Sequence, residues 1–261
     1  MKRLIAVAIL AACGGPAMPA VVRNPDGPAQ PVALTTAEQI IEASLDKQGG
    51  RAVLQKITSV HMVGSMNIAQ MGVKGTLETW ATPPNNSLTH FEIPHMVVDD
   101  AGVKGDLAWE KNTLQGARIL TGSEKATALR DAAFNGDLIW KQLYPKAVLK
   151  GVVKFADVDC YQIELTATDG QSQTRYYAKD TLLPIGLEMV AESPMGKVPV
   201  KVISSDWRDE NGFKYPHKIA RVEAAQAIDV IIEKVETNVP IPAEKFEPSD
   251  EIKQLAAAAP K

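Results

Sequence analysis

The 261-residue chain has few of the residue types from which metal and catalytic sites are built. Its four histidines (His61, His90, His95 and His217) do not follow the spacing of a metal-binding motif. Only His90 and His95, close to Pro94, offer a weak metal pair, so we predict no metal and no other cofactor.

Recognised catalytic motifs are also missing. The sequence contains no G-x-S-x-G, no H-E-x-x-H and no glycine-rich phosphate loop. Asp99-Asp100 ends a strand predicted over Val97 to Asp100 and precedes Ala101-Gly102, so the pair is assigned to a turn and not to a catalytic site. The acidic residues around Asn211-Gly212 (Asp206, Asp209 and Glu210) predict a solvated hairpin end, with calcium as a remote alternative because the spacing departs from an EF-hand. We therefore expect a protein that is not an enzyme and has no catalytic residues.

No excess of charge marks a polyanion-binding protein. The 28 basic and 31 acidic residues give a formal net charge of −3. Nucleic acids and anionic membrane surfaces reward clustered Lys and Arg, so we expect neither a nucleic-acid partner nor a polybasic membrane contact. Aromatic residues are 5% of the chain, which favours a site for flexible chains over one that stacks on rings.

Long apolar runs are absent, and the one at the N-terminus is short. Lys2-Arg3 precedes the apolar run Leu4 to Leu10, which ends well before the roughly 20 residues that a membrane span needs. Such a pattern is typical of a secretory signal. Leu10-Ala11-Ala12-Cys13 resembles the lipobox of bacterial lipoproteins. The resemblance implies cleavage before Cys13 and acylation of that residue, for example by palmitate. The alternative is an ordinary signal peptide cut near Ala17 to Ala20.

These features divide the chain into four segments. Residues 1–12 are the expected signal peptide, and residues 13–34 are rich in Gly, Pro and Ala, which predicts an extended tether. Residues 35–250 are expected to form one domain, and residues 251–261 a loose tail or a short helix. If Cys13 carries lipid, Cys160 is left without a disulfide partner and is most simply a small apolar strand residue.

The domain is predicted to begin with helix. Thr35 and Glu38 have the spacing of a capping box, and apolar residues then recur at helical spacing until Gly49-Gly50 stops the helix. A second short helix is predicted over Arg51 to Ile57. From residue 61 the period changes to two, with strong hairpin turns at Asp169-Gly170 and Asn211-Gly212. A central helix, predicted over Ser123 to Asn135, interrupts this series of strands.

This pattern predicts a mainly β (α+β) fold with about ten or eleven antiparallel strands. A large antiparallel sheet must cover one apolar face, and here the N-terminal and central helices are available to do so. The side chains that form a cavity are expected on that face. Methionines in the strands suit a ligand of variable shape. Methionine side chains fill irregular hydrophobic cores equally well, so both interpretations stay open.

Three stretches resemble the LolA/LolB-like family of outer-membrane lipoprotein-sorting proteins. They are Glu38 to Val60 with its Gly49-Gly50-Arg51 centre, Glu192 to Gly196, and Asp209 to Ile219. The resemblance implies a curved antiparallel half-barrel closed by helices over a hydrophobic cavity, and it covers nearly the whole domain. It also implies binding of a lipid or of lipoprotein acyl chains, and a lipidated Cys13 favours the LolB-like arrangement.

The sequence thus predicts a periplasmic lipoprotein that binds a hydrophobic ligand in lipoprotein sorting or lipid transfer. Gly14 after the lipidated cysteine favours the outer membrane. The alternative is an envelope interaction or sensor module that binds a protein partner, for which exposed sheet edges offer a docking mode. The residues predicted to line the cavity are Met62, Met66, Ile68, Leu77, Phe91, Ile163, Leu187, Met189 and Val200.

Overall fold

A single antiparallel sheet of 13 strands forms the framework of the protein in a computed structural model, which describes residues 34–193, 196–223 and 226–258. The predicted signal peptide, the lipobox and the tether up to residue 33 lie outside the described residues. In chain order the strands are β1 (Val60–Ile68), β2 (Val73–Thr82), β3 (Asn86–Ile93), β4 (Val97–Lys104), β5 (Leu107–Asn112), β6 (Gly116–Ile119), β7 (Lys146–Phe155), β8 (Val158–Thr166), β9 (Ser172–Ala178), β10 (Pro184–Ser193), β11 (Gly196–Glu210), β12 (Phe213–Glu223) and β13 (Gln226–Thr237).

Five α-helices accompany the sheet in the described residues: α1 (Ala37–Lys47), α2 (Arg51–Leu54), α3 (Gly122–Asp131), α4 (Trp140–Leu143) and α5 (Asp250–Ala258). Short 3₁₀ turns cover Ala69–Met71, Gly136–Ile139 and Ala243–Phe246. No helix among the described residues is both long enough and apolar enough to cross a membrane.

The strand order is β6-β5-β4-β3-β2-β1-β13-β12-β11-β10-β9-β8-β7. Two meanders therefore meet where β1 pairs with β13, and the curved sheet stays open because β6 and β7 form its two ends. The antiparallel, mainly β fold was predicted correctly. The strand count was too low, because β6 has only four residues and is too short to show a period of two.

The strand predicted over Val97 to Asp100 is confirmed and extends to Lys104, so the turn assigned to Asp99-Asp100 is wrong. Both residues lie inside β4, where Asp100 pairs with Lys111 of β5 and with His90 of β3. The Asp100 carboxylate accepts a hydrogen bond from His90 Nδ1 at 2.6 Å. Cross-strand partners of this kind stabilise a strand whose composition alone favours a turn.

Helix α1 begins one residue later than the sequence pattern indicated. Thr36, and not Thr35, is the cap: its hydroxyl accepts from the backbone of Gln39, and the Gln39 side chain completes the capping box instead of Glu38. The predicted stop is confirmed, since α1 ends at Lys47 and is followed by Gly49 and Gly50 at positive φ.

The first four helices pack on one face of the sheet, which we call the inner face. Ile40, Ile41 and Leu45 of α1 form a buried cluster with Ile163 and Leu165 of β8. A second cluster joins residues next to α2 to β1, β2, β12 and β13, and a third joins α3 to β4 and β5. Helices therefore cover both ends of the inner face.

The central helix is shorter than predicted, since α3 ends at Asp131 and not at Asn135. Asn135 has φ of +52°, a left-handed conformation that breaks the helix, and its side chain donates to the Leu54 carbonyl at 2.9 Å. A 3₁₀ turn and α4 then lead to β7.

Of the two alternatives for the segment after residue 250, the short helix is correct as far as residue 258 and the loose tail is wrong. It forms α5, in which Ile252 is fully buried. Lys111 on the opposite, outer face of the sheet forms an ion pair with Glu251 at 3.1 Å. The sequence left the two alternatives open, because a single buried isoleucine leaves almost no helical period to detect.

Candidate ligand-binding hollow

All nine residues predicted to line a cavity lie on the inner face of the sheet. Strand registers establish this, since directly paired residues point to the same side. Ile163 pairs with Arg175, Arg175 with Leu187, and Leu187 with Val202. Met189 pairs with Val200 on the neighbouring strand. In the other half of the sheet, Gly64 pairs with Leu77, and Leu77 pairs with Phe91. Met62 and Met66 are each two residues from Gly64 on β1 and therefore share its side. Ile68 follows Met66 by two residues on β1 and shares its side.

Several of the nine are engaged in packing within the domain. Ile163 is fully buried beneath α1, and Met62 and Leu77 pack into the cluster next to α2. Phe91 lies against Gly75, where an added Cβ would come within 2.7 Å of the phenyl ring. Ile68 and Val200 are buried as well. The side chains of these residues are used in packing and leave little surface for a ligand.

A strip of half-buried apolar side chains remains along the middle of the inner face. It belongs to none of the four buried clusters of the described residues. Three of its members were predicted to line a cavity, and three were missed because apolar periodicity does not tell which positions the helices leave uncovered. We call it the apolar strip: Met66, Leu187, Met189, Val202, Ile219 and Ile228.

A cavity of about 570 Å³ adjoins the apolar strip between α3 and strands β9 and β10. Met189 of the strip lines it, next to the buried Gln173 and Tyr144. Its rim is polar and includes Ser123, Glu192 and other exposed groups. We call the cavity and the apolar strip together the hollow.

Polar contacts hold α3 over the hollow. Arg130 donates to the Asp169 carboxylate at 2.6 Å, and Thr127 donates to Gln171 at 2.7 Å, both in the turn between β8 and β9. On the other side Lys125 pairs with Asp106 at 2.7 Å. No residue of α3 itself is fully buried, so its position depends on these contacts and on the packing of its half-buried Ala128 and Leu129.

The hollow also contains charged groups that sequence reasoning did not assign. Arg175 donates to Asp137 at 2.8 Å and lies over the ring of Tyr144, 5.5 Å from its centroid. The Asp137 carboxylate raises the pKa of this guanidinium against the opposing effect of burial. Arg175 therefore stays charged on the inner face. No clear signal in the sequence marked Arg175, because β9 is largely polar and the preceding inward position is Gln173.

A second arginine lies in the middle of the apolar strip. Arg221 of β12 pairs with Val202 on one side and with Ile228 on the other. Its guanidinium donates to Glu223, two residues along the same strand, at 2.7 Å. The hollow is consequently amphipathic, with an apolar wall that carries fixed charges.

Asp131 is a further carboxylate of this region. It is the last residue of α3, it lines the cavity and it keeps access to solvent there. Within the described part of the chain its carboxylate has no hydrogen-bond partner. Nearby protein atoms raise the pKa of Asp131 by desolvation, although Arg130, Arg175 and Arg221 act in the opposite direction.

The histidines lie away from the hollow or are engaged in structure. His61 lies on the outer face between Glu78 and Glu236, at 2.7 and 3.0 Å, and stacks on Trp80. His90 binds Asp100, and His95 occupies a turn at positive φ. Among residues 34–193, 196–223 and 226–258, no group of three or more His, Cys, Asp and Glu side chains is arranged to hold a metal ion.

No family model and no curated protein sequence matches this chain. Solved structures do match its fold. A LolA superfamily protein from Nitrosomonas europaea superposes with a TM-score of 0.56 at 16% identity, over 82% of this chain and 99% of the other. A DUF1329 family protein from Desulfovibrio piger gives 0.55 at 14% identity, over 81% and 97%.

A third match is a putative outer membrane lipoprotein-sorting protein domain from Vibrio parahaemolyticus, with a TM-score of 0.52 at 10% identity, over 79% of this chain and 97% of the other. At these identities the likeness concerns the fold. The resemblance in the sequence is thereby confirmed at the level of architecture: the chain has a LolA-like fold.

Proposed function

We propose that the protein is a lipid-anchored, periplasmic binding protein of the outer membrane that holds a lipid or the acyl chains of a lipoprotein in its hollow. The role is non-enzymatic and serves lipoprotein sorting or lipid transfer. The anchor is Cys13, and the ligand is bound on the apolar strip.

The observation that carries this proposal is the half-buried apolar strip beside the cavity. Apolar surface left in contact with water costs about 25 cal/mol per Å², so a long uncovered strip on the inner face calls for an occupant. The cavity volume of about 570 Å³ lies within the range of roughly 300–1,000 Å³ typical of small-molecule sites. The Vibrio parahaemolyticus domain of similar fold is named as an outer membrane lipoprotein-sorting protein domain, which supports the same class of ligand.

Blocking the hollow tests the proposal. A fluorescent fatty acid should bind the full chain carrying Cys13→Ser, which is purified without detergent, and Met189→Trp should weaken binding by about tenfold or more because the indole fills space beside the strip. Ile231→Trp is the matched control, since Ile231 is 40% exposed and lies on the outer face, where it pairs with Ser65 and Lys218. Equal affinities for the two variants, or no binding by the parent chain, would contradict the proposal.

The anchor is tested separately. Cells that produce the wild-type chain and Cys13→Ser are fractionated, and the wild type is expected in the outer-membrane fraction while the variant is released in soluble form. If both remain membrane-bound to the same extent, acylation of Cys13 is not the anchor.

The alternative of a module that binds a protein by strand addition has less support. The free edge of β7 carries Lys146, Lys150 and Lys154, and its register is interrupted between Leu149 and Gly151. Lysines and bulges are devices that prevent strand addition at sheet edges.

A further inference from the structure

The two ends of the sheet differ in the chemistry of their turns. Because the strands are antiparallel, the turns after β1, β3, β5, β8 and β10 lie at one end, and those after β2, β4, β7, β9 and β11 lie at the other. At the first end, three adjacent turns each present an exposed apolar side chain: Met71 (53% exposed), Met96 (50%) and Leu114 (76%). We call these the apolar turns: residues 69–72, 94–96 and 113–115.

The composition of the apolar turns is unusual for exposed loops. None of their residues is Asp, Glu, Lys or Arg. The turns at the other end follow the common pattern, in which Asn, Asp and Gly predominate: Gly105-Asp106 after β4, Ala156-Asp157 after β7, and Asn211-Gly212 after β11. One end of the sheet is therefore apolar and uncharged at its turns, while the other end is polar.

Hydrogen bonds hold two of the apolar turns side by side. The backbone N–H of Thr113 donates to the carbonyl of Val98 at 2.9 Å, and the Thr113 hydroxyl accepts from the Val98 N–H at 3.0 Å. These bonds connect the turn after β5 to the start of β4, next to Met96. Neighbouring apolar turns are two strands apart, so they are spaced at about 10 Å.

The cavity of the hollow lies at the same end of the sheet. Asp169 and Gly170 in the turn after β8 line it, as do Glu192 and Lys197 on either side of the turn after β10. Val190, close to the end of β10, is a further exposed apolar residue at this end. A surface that contacts the apolar turns therefore also lies next to the cavity.

We propose that the apolar turns insert into the interfacial region of a lipid bilayer and thereby place the cavity next to the membrane surface. The inference goes beyond the proposed function, because it concerns a surface outside the hollow and does not depend on which ligand the hollow holds. It also does not depend on acylation of Cys13.

The arrangement of the three side chains favours a bilayer over a protein partner. A stable protein interface buries about 800 Å² of contiguous surface on each partner, whereas single side chains at a spacing of about 10 Å form no such patch. A fluid bilayer surrounds each side chain separately, and each contributes its own buried apolar area. The absence of charge in the turns avoids the cost of moving an ionised group into the lipid.

Fluorescent labels at single positions test which end contacts the membrane. In the full chain carrying Cys13→Ser, Cys160 is buried and does not react, so Leu114→Cys can be labelled with the polarity-sensitive fluorophore nitrobenzoxadiazole. When phosphatidylcholine vesicles are added, the emission of this label should shift to shorter wavelength because the label leaves water. Val158→Cys is the matched control, since Val158 is exposed next to the turn after β7 at the polar end. Its emission should stay unchanged.

Removing the three side chains tests whether they carry the binding. A variant that combines Met71→Asn, Met96→Asn and Leu114→Asn keeps residues that turns accept and adds no charge. In cosedimentation with phosphatidylcholine vesicles it should bind about tenfold or more weakly than the parent chain, because three favourable apolar transfers are lost. The affinity of the parent chain should change by less than about twofold between low salt and about 0.5 M salt, since the turns carry no charge.

The matched control for the triple variant removes the same number of exposed apolar side chains outside the apolar turns. It combines Val152→Asn, Val158→Asn and Leu255→Asn. This control should bind the vesicles as the parent chain does. Both triple variants should also bind the fluorescent fatty acid with the affinity of the parent chain, which shows that the hollow is intact.

Several results would overturn the inference. They are a parent chain that does not bind phosphatidylcholine vesicles, a label at position 158 that responds as strongly as the label at position 114, equal losses for the two triple variants, and a strong loss of affinity in salt. In each case, fatty-acid binding in solution would still support the proposed function. If the first triple variant does not fold, the two labels decide. If the parent chain binds vesicles but no fatty acid, the proposed function fails and the inference about the apolar turns stands.

Discussion

Gly49 lies directly against the backbone of Gly212: a Cβ added to Gly49 would come within 2.5 Å of the Gly212 carbonyl oxygen. Next to this contact, the backbone N–H of Lys214 donates to the carbonyl of Gln48 at 2.9 Å. The end of α1 is thus held against the hairpin between β11 and β12. This contact fixes where α1 crosses the inner face.

Replacing Gly49 with alanine should destabilise the domain strongly. Its φ of +125° disfavours any residue with a Cβ, and the clash with backbone atoms has no flexible side chain to relieve it. We expect a loss of about 3 kcal/mol or more in the free energy of unfolding, measured by urea denaturation.

Gly72→Ala is the control for the Gly49 variant. Gly72 also has positive φ, +64°, but no atom lies within 4 Å of an added Cβ. Its cost should be about 1–2 kcal/mol, which is the backbone term alone. Equal losses for the two variants would show that the contact with Gly212 contributes nothing.

The contact between Gly49 and Gly212 also shows what could be predicted from the sequence. The helix stop at Gly49-Gly50 and the hairpin at Asn211-Gly212 each follow from local backbone preferences and were predicted correctly. The contact between them depends on the path of the chain through the eleven intervening strands, and no local sequence pattern predicts that path. Only the family resemblance linked the two stretches.

The hollow was predictable to a similar degree. Alternation within strands placed Leu187, Met189 and the other predicted residues on one face, because successive side chains point to opposite sides. Which of them the helices would cover was not predictable, and so fully buried Ile163 was grouped with half-buried Leu187. The isolation of Asp131 depends on how its arginine neighbours pair with other carboxylates, which has no signature in the sequence.

Glu42 joins three helices and should contribute measurably to stability. Its carboxylate accepts from Arg51, at 2.7 Å from Nη2, and from Trp140 Nε1 at 2.9 Å. Burial acts to raise its pKa, but these hydrogen bonds outweigh burial and the pKa of Glu42 is lowered. Glu42→Gln should cost about 1 kcal/mol at pH 7, a value discounted because the side chain is one-third exposed.

The pH dependence of the free energy of unfolding tests whether the negative charge of Glu42 causes this stabilisation. A carboxylate with a lowered pKa stabilises the fold above its ordinary value of 4.5, and this contribution is lost as the pH falls through the lower pKa of the folded state. The difference between wild type and Glu42→Gln in urea denaturation should therefore narrow from pH 7 to pH 3. Glu38→Gln on the same helix is the control, since Glu38 and its partner Lys141 are both more than half exposed. A larger loss for Glu38→Gln would contradict this account.

Helix α5 should be an integral part of the domain. Ile252→Ala removes a fully buried side chain and should lower the free energy of unfolding by about 2–4 kcal/mol. Leu255→Ala on the same helix, 39% exposed, should cost much less. Differential scanning calorimetry of the two variants measures both effects, and equal, small losses would restore the interpretation of this segment as a loose tail.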